Sequence, residues 1–372
     1  MKLLEITNDF PPTVGGIENY IYSILARWNP EDVTVLTRAR GDWQAFDAKL
    51  SFRVERDEVR QVLPSRRLRE RAQKLGRSSN AEIIHFAAPL LPAVIGPYLK
   101  EELGIPYAVS LHGGEFVMAT RLPYLKRLLR KALSEASVLL CESTFVQRQA
   151  KEAFPEIRSE WVPAGVDVNT FTPVGPTAFQ PPVPGPVIIC VSRLVARKGP
   201  AVLIEAMPAI LKQHPTAHLL IVGGGPDAKR LKRLAGGKGV ASKVTLAGAR
   251  PWDRIPDYYR SADVFAMPTR ERFWGLETEG LPLALLEAAA SGLPAIGGNA
   301  GSVSDGVVHG ETGLLVDGGD PTDVASAIID LLDDPDKAKA MGAAGRDRVT
   351  EGFTWGSAFR LFERGLETAL EG

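Results

Sequence analysis

The chain has 372 residues, long enough for two domains of ordinary size. With 45% hydrophobic and 24% charged residues it has the balance of a globular protein. Lysine plus arginine equal aspartate plus glutamate at 44 each, which argues against a dedicated nucleic-acid binder.

Taken in order, short apolar or β-branched runs alternate with helical patterns, as in doubly wound α/β domains with parallel sheets. The sequence starts with Met1-Lys2 and a strand over 3–7, with no signal-peptide pattern. Asn8 to Gly16 then form a proline- and glycine-bearing loop, and a helix is expected over 17–27. Gly15-Gly16 allow close backbone approach at the start of that helix, where a phosphate would be welcome. Asp9, just past the first strand, is a weaker candidate for organising an acceptor or bracing the loop.

Further strands are expected over 33–37, 83–86, 107–111 and 138–141. His112 closes the fourth of these five and is followed by Gly113-Gly114-Glu115. Arg66, Arg67, Arg69, Arg71, Lys74 and Arg77 crowd one helical stretch. In residues 121–131, leucines alternate with Lys126, Arg127, Arg130 and Lys131. Such a basic amphipathic helix suits the surface of an anionic membrane, or it packs its leucines into a core.

The stretch 173–186 carries too much proline and glycine for helix or central strand, which makes it a domain linker. The second half repeats the alternation, with strands expected over 187–192, 218–222, 244–247, 264–267 and 295–297. Arg193 and Lys198 follow its first strand, where a βα loop can bring a planar fork and a point charge to a diphosphate. Gly223-Gly224-Gly225 has the look of a phosphate loop and equally of an ordinary turn. Cys141 and Cys190 lie in apolar strands and read as small buried hydrophobes of a reducing compartment.

The run from Glu279 to Glu287 is the most informative in the chain. Pro282 suits the first turn of a helix, which places Glu279 in the loop before it and Glu287 in its second turn. A carboxylate in so apolar a run must reach water or a ligand. The amides of Leu283 and Ala284 and the positive end of the helix are fit to receive a phosphate. Asp334-Pro335-Asp336 is the chain's Asp-x-Asp, but it falls between helical patterns, with Asp336 read as a helix N-terminal residue rather than a metal ligand.

Two glutamates with seven residues between them resemble the E-x(7)-E signature of retaining GT-B glycosyltransferases, in particular glycosyltransferase family 4. Ser192-Arg193-Leu194-Val195-Ala196-Arg197-Lys198-Gly199 is similar to that family's diphosphate-binding segment, and Asn8 to Gly16 to its N-terminal glycine loop. His112-Gly113 and Pro163-Ala164-Gly165-Val166-Asp167 match as well, so the likeness runs nearly end to end. Within the family, the segments Asn8 to Gly16, Ser192 to Gly199 and Arg272 to Leu281 most resemble the GDP-mannose-dependent phosphatidylinositol-mannoside mannosyltransferases.

The resemblance implies an α/β GT-B fold: two Rossmann-like domains facing each other across a cleft. The expected division is 1–172 for the acceptor domain, 173–186 for the linker, 187–355 for the nucleotide-sugar domain and 356–372 for a helix crossing back. It implies catalytic roles for Arg193, Lys198, Glu279 and His112, and donor binding by Gly15, Gly16, Leu283, Ala284 and Glu287. It also implies transfer of mannose from GDP-mannose to a lipid or glycan acceptor with retention, with no cofactor and no metal. The expected setting is cytoplasmic, peripheral to the anionic inner face of the cell membrane. The nearest alternative keeps the fold but uses a UDP-sugar and a soluble or polysaccharide acceptor. A nicotinamide oxidoreductase would want G-x-G-x-x-G after the first strand, which the Pro11-Pro12 loop does not supply.

Overall fold

The computed structural model describes residues 1–13 and 15–371, so Val14 of the glycine loop lies outside the described residues. The chain forms two compact units. One runs from Met1 to Ala164 and takes back the chain from Trp355 onward; the other is Gly165–Thr354.

The first unit is built on β1 (Leu3–Ile6), β2 (Val33–Arg38), β3 (Arg53–Asp57), β4 (Ile83–Phe86), β5 (Tyr107–Leu111), β6 (Val138–Cys141) and β7 (Ser159–Trp161). All are parallel, in the order β3-β2-β1-β4-β5-β6-β7. The second unit has β8 (Val187–Val191), β9 (His218–Val222), β10 (Val244–Gly248), β11 (Val264–Met267), β12 (Ala295–Gly298) and β13 (Gly313–Val316). It is also parallel throughout, in the order β10-β9-β8-β11-β12-β13. Each unit has its own apolar core between sheet and helices.

In both sheets the strand order reverses beside the first strand, between β1 and β4 and between β8 and β11. Ligands of open α/β sheets bind beyond the carboxyl ends of strands at such a switch point. The loops that follow β8 and β11 therefore matter most in the second unit.

Sequence reading misses β3, β7 and β13, and all three are sheet edges. An edge strand is paired on one side only and need not be an unbroken apolar run. In β3 the sequence Arg-Val-Glu-Arg-Asp is held by ion pairs instead, with Arg56 on Asp47 at 2.7 Å and Arg67 on Asp57 at 2.9 Å.

The segment 173–186 does not swing free. Arg260 donates to the Pro176 carbonyl at 2.8 Å, and Ser261 Oγ accepts from the amides of Ala178 and Phe179 at 3.0 Å, so these residues are laid against the second unit. The final helix, Trp355–Leu370, packs on the first unit: Phe359 meets Trp28 edge-on at 5.4 Å and Phe362 meets His85 at 4.9 Å.

Under that helix lies a buried polar chain. Glu5, His85 and Ser110 stand on the neighbouring strands β1, β4 and β5, and none is more than 1% exposed. The carboxylate meets His85 Nδ1 at 2.6 Å and Ser110 Oγ meets Nε2 at 2.8 Å. Removing one member of a buried pair leaves the other uncompensated, which costs about 3–5 kcal/mol. Glu5→Ala should lower the stability of the first unit by that amount in urea unfolding followed by far-UV circular dichroism; a loss under about 1 kcal/mol would show that the network is not structural.

Candidate functional site

In the second unit the loop after β8 and the loop after β11 meet through one carboxylate. Glu279 Oε1 accepts from Lys198 Nζ at 2.8 Å, and Oε2 accepts from Arg197 Nε at 3.0 Å. Glu279 is only 9% exposed, so this is a largely desolvated cluster. Arg197 also reaches Glu277 at 3.5 Å, and Glu277 is held by Arg272 at 2.9 Å. Lys198 and Glu279, 81 positions apart in sequence, are thus brought together. Arg193 is not part of the cluster. It is exposed, and its guanidinium has no partner among the described residues.

The helix after this loop is Leu283–Ala290, with Pro282 in extended conformation at its N-cap rather than inside its first turn. Leu285 donates to the Pro282 carbonyl at 3.0 Å, while the amides of Leu283 and Ala284 find no acceptor among the described residues. The N-terminal amides of a helix lack intrahelical acceptors and carry the positive end of its dipole, so two donors remain available to an anion.

Glu287 sits in the second turn of this helix. Burial pushes its carboxyl up to about 7, with the hydrogen bond from Tyr259 pulling the other way. The Tyr259 hydroxyl lies 2.8 Å from Glu287 Oε2 and 3.2 Å from the Ala284 carbonyl. It has one proton for two acceptors. When Glu287 is ionised the proton serves the carboxylate; when Glu287 is neutral it can turn to the carbonyl.

The glycines 223–225 have a packing explanation. A Cβ on Gly223 would lie 1.9 Å from the Ser192 carbonyl, and one on Gly225 would lie 2.5 Å from that of Leu194. Their backbones fit against the loop that carries Arg193. Cys190, in β8, is free and wholly buried, and burial pushes its thiol up to about 11.

Asp9, Gly15, Gly16 and His112 belong to the first unit. His112 is the N-cap of the helix Gly113–Arg121 and is 5% exposed. Its Nδ1 meets Glu142 at 2.8 Å and its Nε2 meets the Ala87 carbonyl at 2.9 Å. Both partners are acceptors, so the arrangement is fully met only by the doubly protonated ring. Burial works against that charge, but the hydrogen bond and charge of Glu142, with Glu115 and the Ala87 carbonyl, outweigh it and the net shift is upward. Glu142 also accepts from the Gly113 amide at 2.7 Å. Both ring nitrogens of His112 are therefore engaged by the protein itself.

Gly15 caps the helix Gly16–Leu25, and Glu18 folds back over it. A Cβ on Gly15 would lie 2.1 Å from the Glu18 carboxylate. Burial raises Asp9, Glu18 and Glu115, and the Asp9 charge adds to the shift of the other two.

Sequence reasoning assigned no role to Arg197, Tyr259 or Glu142. Arg197 was visible as a second cation in the Ser192 to Gly199 segment. Tyr259, at the end of the helix Ile255–Tyr259, carried no local signal, because its place beside Glu287 is set by tertiary packing. Asp336 lies in the first turn of the helix Pro335–Gly352, as expected, and Asp334 caps it, accepting from the Lys337 amide at 3.0 Å. Among the described residues no group of three or more His, Cys, Asp or Glu is placed to hold a metal.

The basic helices spend much of their character internally. Arg67 and Arg71 both pair with Asp57, and Arg69 lies over Tyr98. In the helix Pro123–Leu133, Leu129 and Leu133 are buried and Leu125 and Leu128 pack against the core. Its leucine face is thus turned inward. Among the described residues no helix is long and apolar enough to cross a membrane.

The description "Glycosyltransferase Family 4" matches residues 14–170 and "Glycosyl transferases group 1" matches residues 177–348. The chain is 36% identical over 367 residues to the GDP-mannose-dependent alpha-(1-6)-phosphatidylinositol monomannoside mannosyltransferase of Mycobacterium tuberculosis strain H37Rv, covering 95% of each chain. It is also 36% identical to the corresponding monoacylated-acceptor enzyme of Corynebacterium glutamicum, covering 95% and 94%. A D-inositol 3-phosphate glycosyltransferase of Thermobispora bispora is 30% identical over 73% of this chain and 68% of that one. Among solved structures, HepE of Anabaena in complex with UDP superposes with a TM-score of 0.83 at 19% identity, covering 99% and 100% of the two chains. Two Rossmann-like parallel-sheet units, similarity over nearly the whole length and the matched family descriptions lead to one conclusion: the chain belongs to glycosyltransferase family 4 and is a glycosyltransferase of GT-B fold.

Proposed function

We propose that the protein transfers mannose from GDP-mannose to a phosphatidylinositol-mannoside-type lipid, with retention at the anomeric carbon. The observation that carries this reading is the Lys198–Glu279–Arg197 cluster at the switch point, next to the unoccupied amides of Leu283 and Ala284. Its support in sequence is identity of 34–36% over 95% of the chain to relatives named for that reaction.

In this reading Lys198, the exposed Arg193 and the two amides hold the donor diphosphate. Glu287 accepts from the nucleoside hydroxyls and Glu279 from those of the sugar. The bond from the anomeric carbon to the diphosphate oxygen breaks as the acceptor oxygen attacks from the same face. The acceptor proton passes to the departing diphosphate oxygen, giving the mannosylated lipid and GDP. Arg193, Lys198 and the helix end stabilise the charge that develops on the leaving group, which is where such a reaction needs help. No metal is assigned, since these groups supply the compensating charge. His112, with both nitrogens engaged, is assigned to positioning: it fixes the start of the helix Gly113–Arg121, while Asp9 and its neighbouring carboxylates face the acceptor.

Removing one preorganised donor to a developing charge typically lowers turnover by about 10²–10³. Lys198→Ala and Arg193→Ala should each do so in a GDP-mannose transfer assay, with unchanged circular dichroism. Near-normal turnover in either folded variant would remove that residue from the mechanism.

Nucleotide binding should also depend on pH through Glu287. Ribose hydroxyls donate to the ionised carboxylate, whereas the free protein holds that carboxyl at about 7. Binding therefore draws off a proton. Affinity for GDP should be full above this value and fall by up to about tenfold per pH unit below it. Calorimetric titration at pH 6 and pH 8 reads the slope, and Glu287→Gln should remove it. The same slope in that variant would assign the proton elsewhere.

A further inference from the structure

The ring of Tyr259 is wholly buried. It meets Phe171 edge-on at 5.8 Å and Phe265 at 5.9 Å, so its place is fixed by packing. A phenylalanine would serve that packing, whereas a phenol in such surroundings must find partners for its hydroxyl. Both partners lie one turn apart on a single helix, Leu283–Ala290: Glu287 Oε2 at 2.8 Å and the Ala284 carbonyl at 3.2 Å. The hydroxyl is therefore set between a side chain that can change its charge and a carbonyl that cannot.

Glu287 is half-buried, and the contact with Tyr259 takes only one of its oxygens. Oε1 has no partner among the described residues and is not sealed from solvent. The other groups around the carboxyl leave its charge alone. No other residue of its helix titrates, and β11 and β12, on which that helix packs, carry no titratable side chain. Arg346, from the neighbouring helix Pro335–Gly352, is engaged by the carbonyls of Ala290 and Phe171. On the side of the phenol, Asp257 is paired with Arg254 and Arg260, and burial keeps the Cys190 thiol of β8 protonated. The Tyr259 hydroxyl is thus the one group among the described residues that acts on Glu287, and it favours the ionised form. The phenol keeps its own proton, because burial and the neighbouring carboxylate raise it well above its usual range.

We propose that Tyr259 is a positioning residue acting through Glu287: from inside the unit its hydroxyl keeps the carboxylate charged and turned with Oε1 free for a ligand. When the carboxyl is protonated that hold is lost, since the phenol proton can turn to the Ala284 carbonyl. Tyr259 thereby decides how far down in pH the carboxylate can receive a hydroxyl donor. The consequence for transfer rests on the reading of Glu287 as acceptor for the nucleoside hydroxyls.

Tyr259→Phe keeps the ring and removes the hydroxyl. Placing 3-fluorotyrosine at position 259 keeps both and makes the hydroxyl a stronger donor. In the full chain without nucleotide, carbon-13 NMR of labelled glutamate side chains follows the carboxyls through pH, with the Glu287 signal assigned by its loss in Glu287→Gln. The Glu287 midpoint should rise by about one pH unit in Tyr259→Phe and fall below the wild-type value with fluorotyrosine. Calorimetric titration with GDP should then find Tyr259→Phe about fivefold weaker than wild type at pH 7, up to about tenfold weaker at pH 6, and within about twofold of it at pH 8.5. A midpoint unmoved in both variants would overturn the proposal, whether or not GDP affinity falls, since an equal loss at every pH is what damaged packing gives. Midpoints that move as expected, beside GDP affinities that match wild type at every pH, would uphold the tie between Tyr259 and Glu287 and place the error in the reading of Glu287 as a nucleoside contact.

Discussion

One carboxylate organises the second unit's site. Glu279 accepts from Lys198 and Arg197 together, and so ties the loop after β8 to the loop after β11 across the point where strand order reverses. In so desolvated a position, loss of the carboxylate would leave two cations facing each other without compensation. The pair also pre-sets the entry to the helix Leu283–Ala290, because the chain passes directly from Glu279 through Pro282 to its free amides. In the proposed reaction this holds charge for a leaving phosphate in place before any donor arrives.

The same economy appears in the first unit with the opposite sign. His112 is ringed by Glu142, Glu115 and a carbonyl, while burial raises Asp9, Glu18 and Glu115 and the Asp9 charge raises the other two further. One unit thus gathers Lys198, Arg197 and Arg272 around Glu279 and Glu277, and the other gathers acids around a single imidazole. A diphosphate leaving group suits the first arrangement. A hydroxyl-rich acceptor suits the second.

Much of this was legible in the sequence because it depends on local pattern. The central strands are continuous apolar runs and were placed within a residue or so. The edge strands β3 and β7 were not, since their pairing on one side relaxes the demand for apolar residues; β13 was missed although its Gly-Leu-Leu-Val is apolar. Lys198 and Glu279 stood out by spacing, but their direct pairing follows from the parallel order of β8 and β11, which no local pattern carries. The partner of Glu287 was invisible for the same reason: Tyr259 reaches it from a separate helix. The leucines of the helix Pro123–Leu133 were ambiguous in one dimension between membrane and core, and packing turns them to the core. The exposed aromatics Phe273 and Trp274 lie in the other unit, in a turn whose positive φ values no pattern of hydrophobicity announces.

The central claim is that a guanine nucleotide-sugar is the donor and that the cations of this chain suffice to activate it. The most direct measurement is mannosyl transfer from GDP-mannose to phosphatidylinositol monomannoside in excess EDTA, run beside UDP-glucose, with the product's anomeric configuration read by NMR. The account predicts an α-linked mannosyl product from GDP-mannose alone, at a rate unaffected by the chelator. Transfer from UDP-glucose instead, an inverted product, or abolition of transfer by EDTA would contradict it.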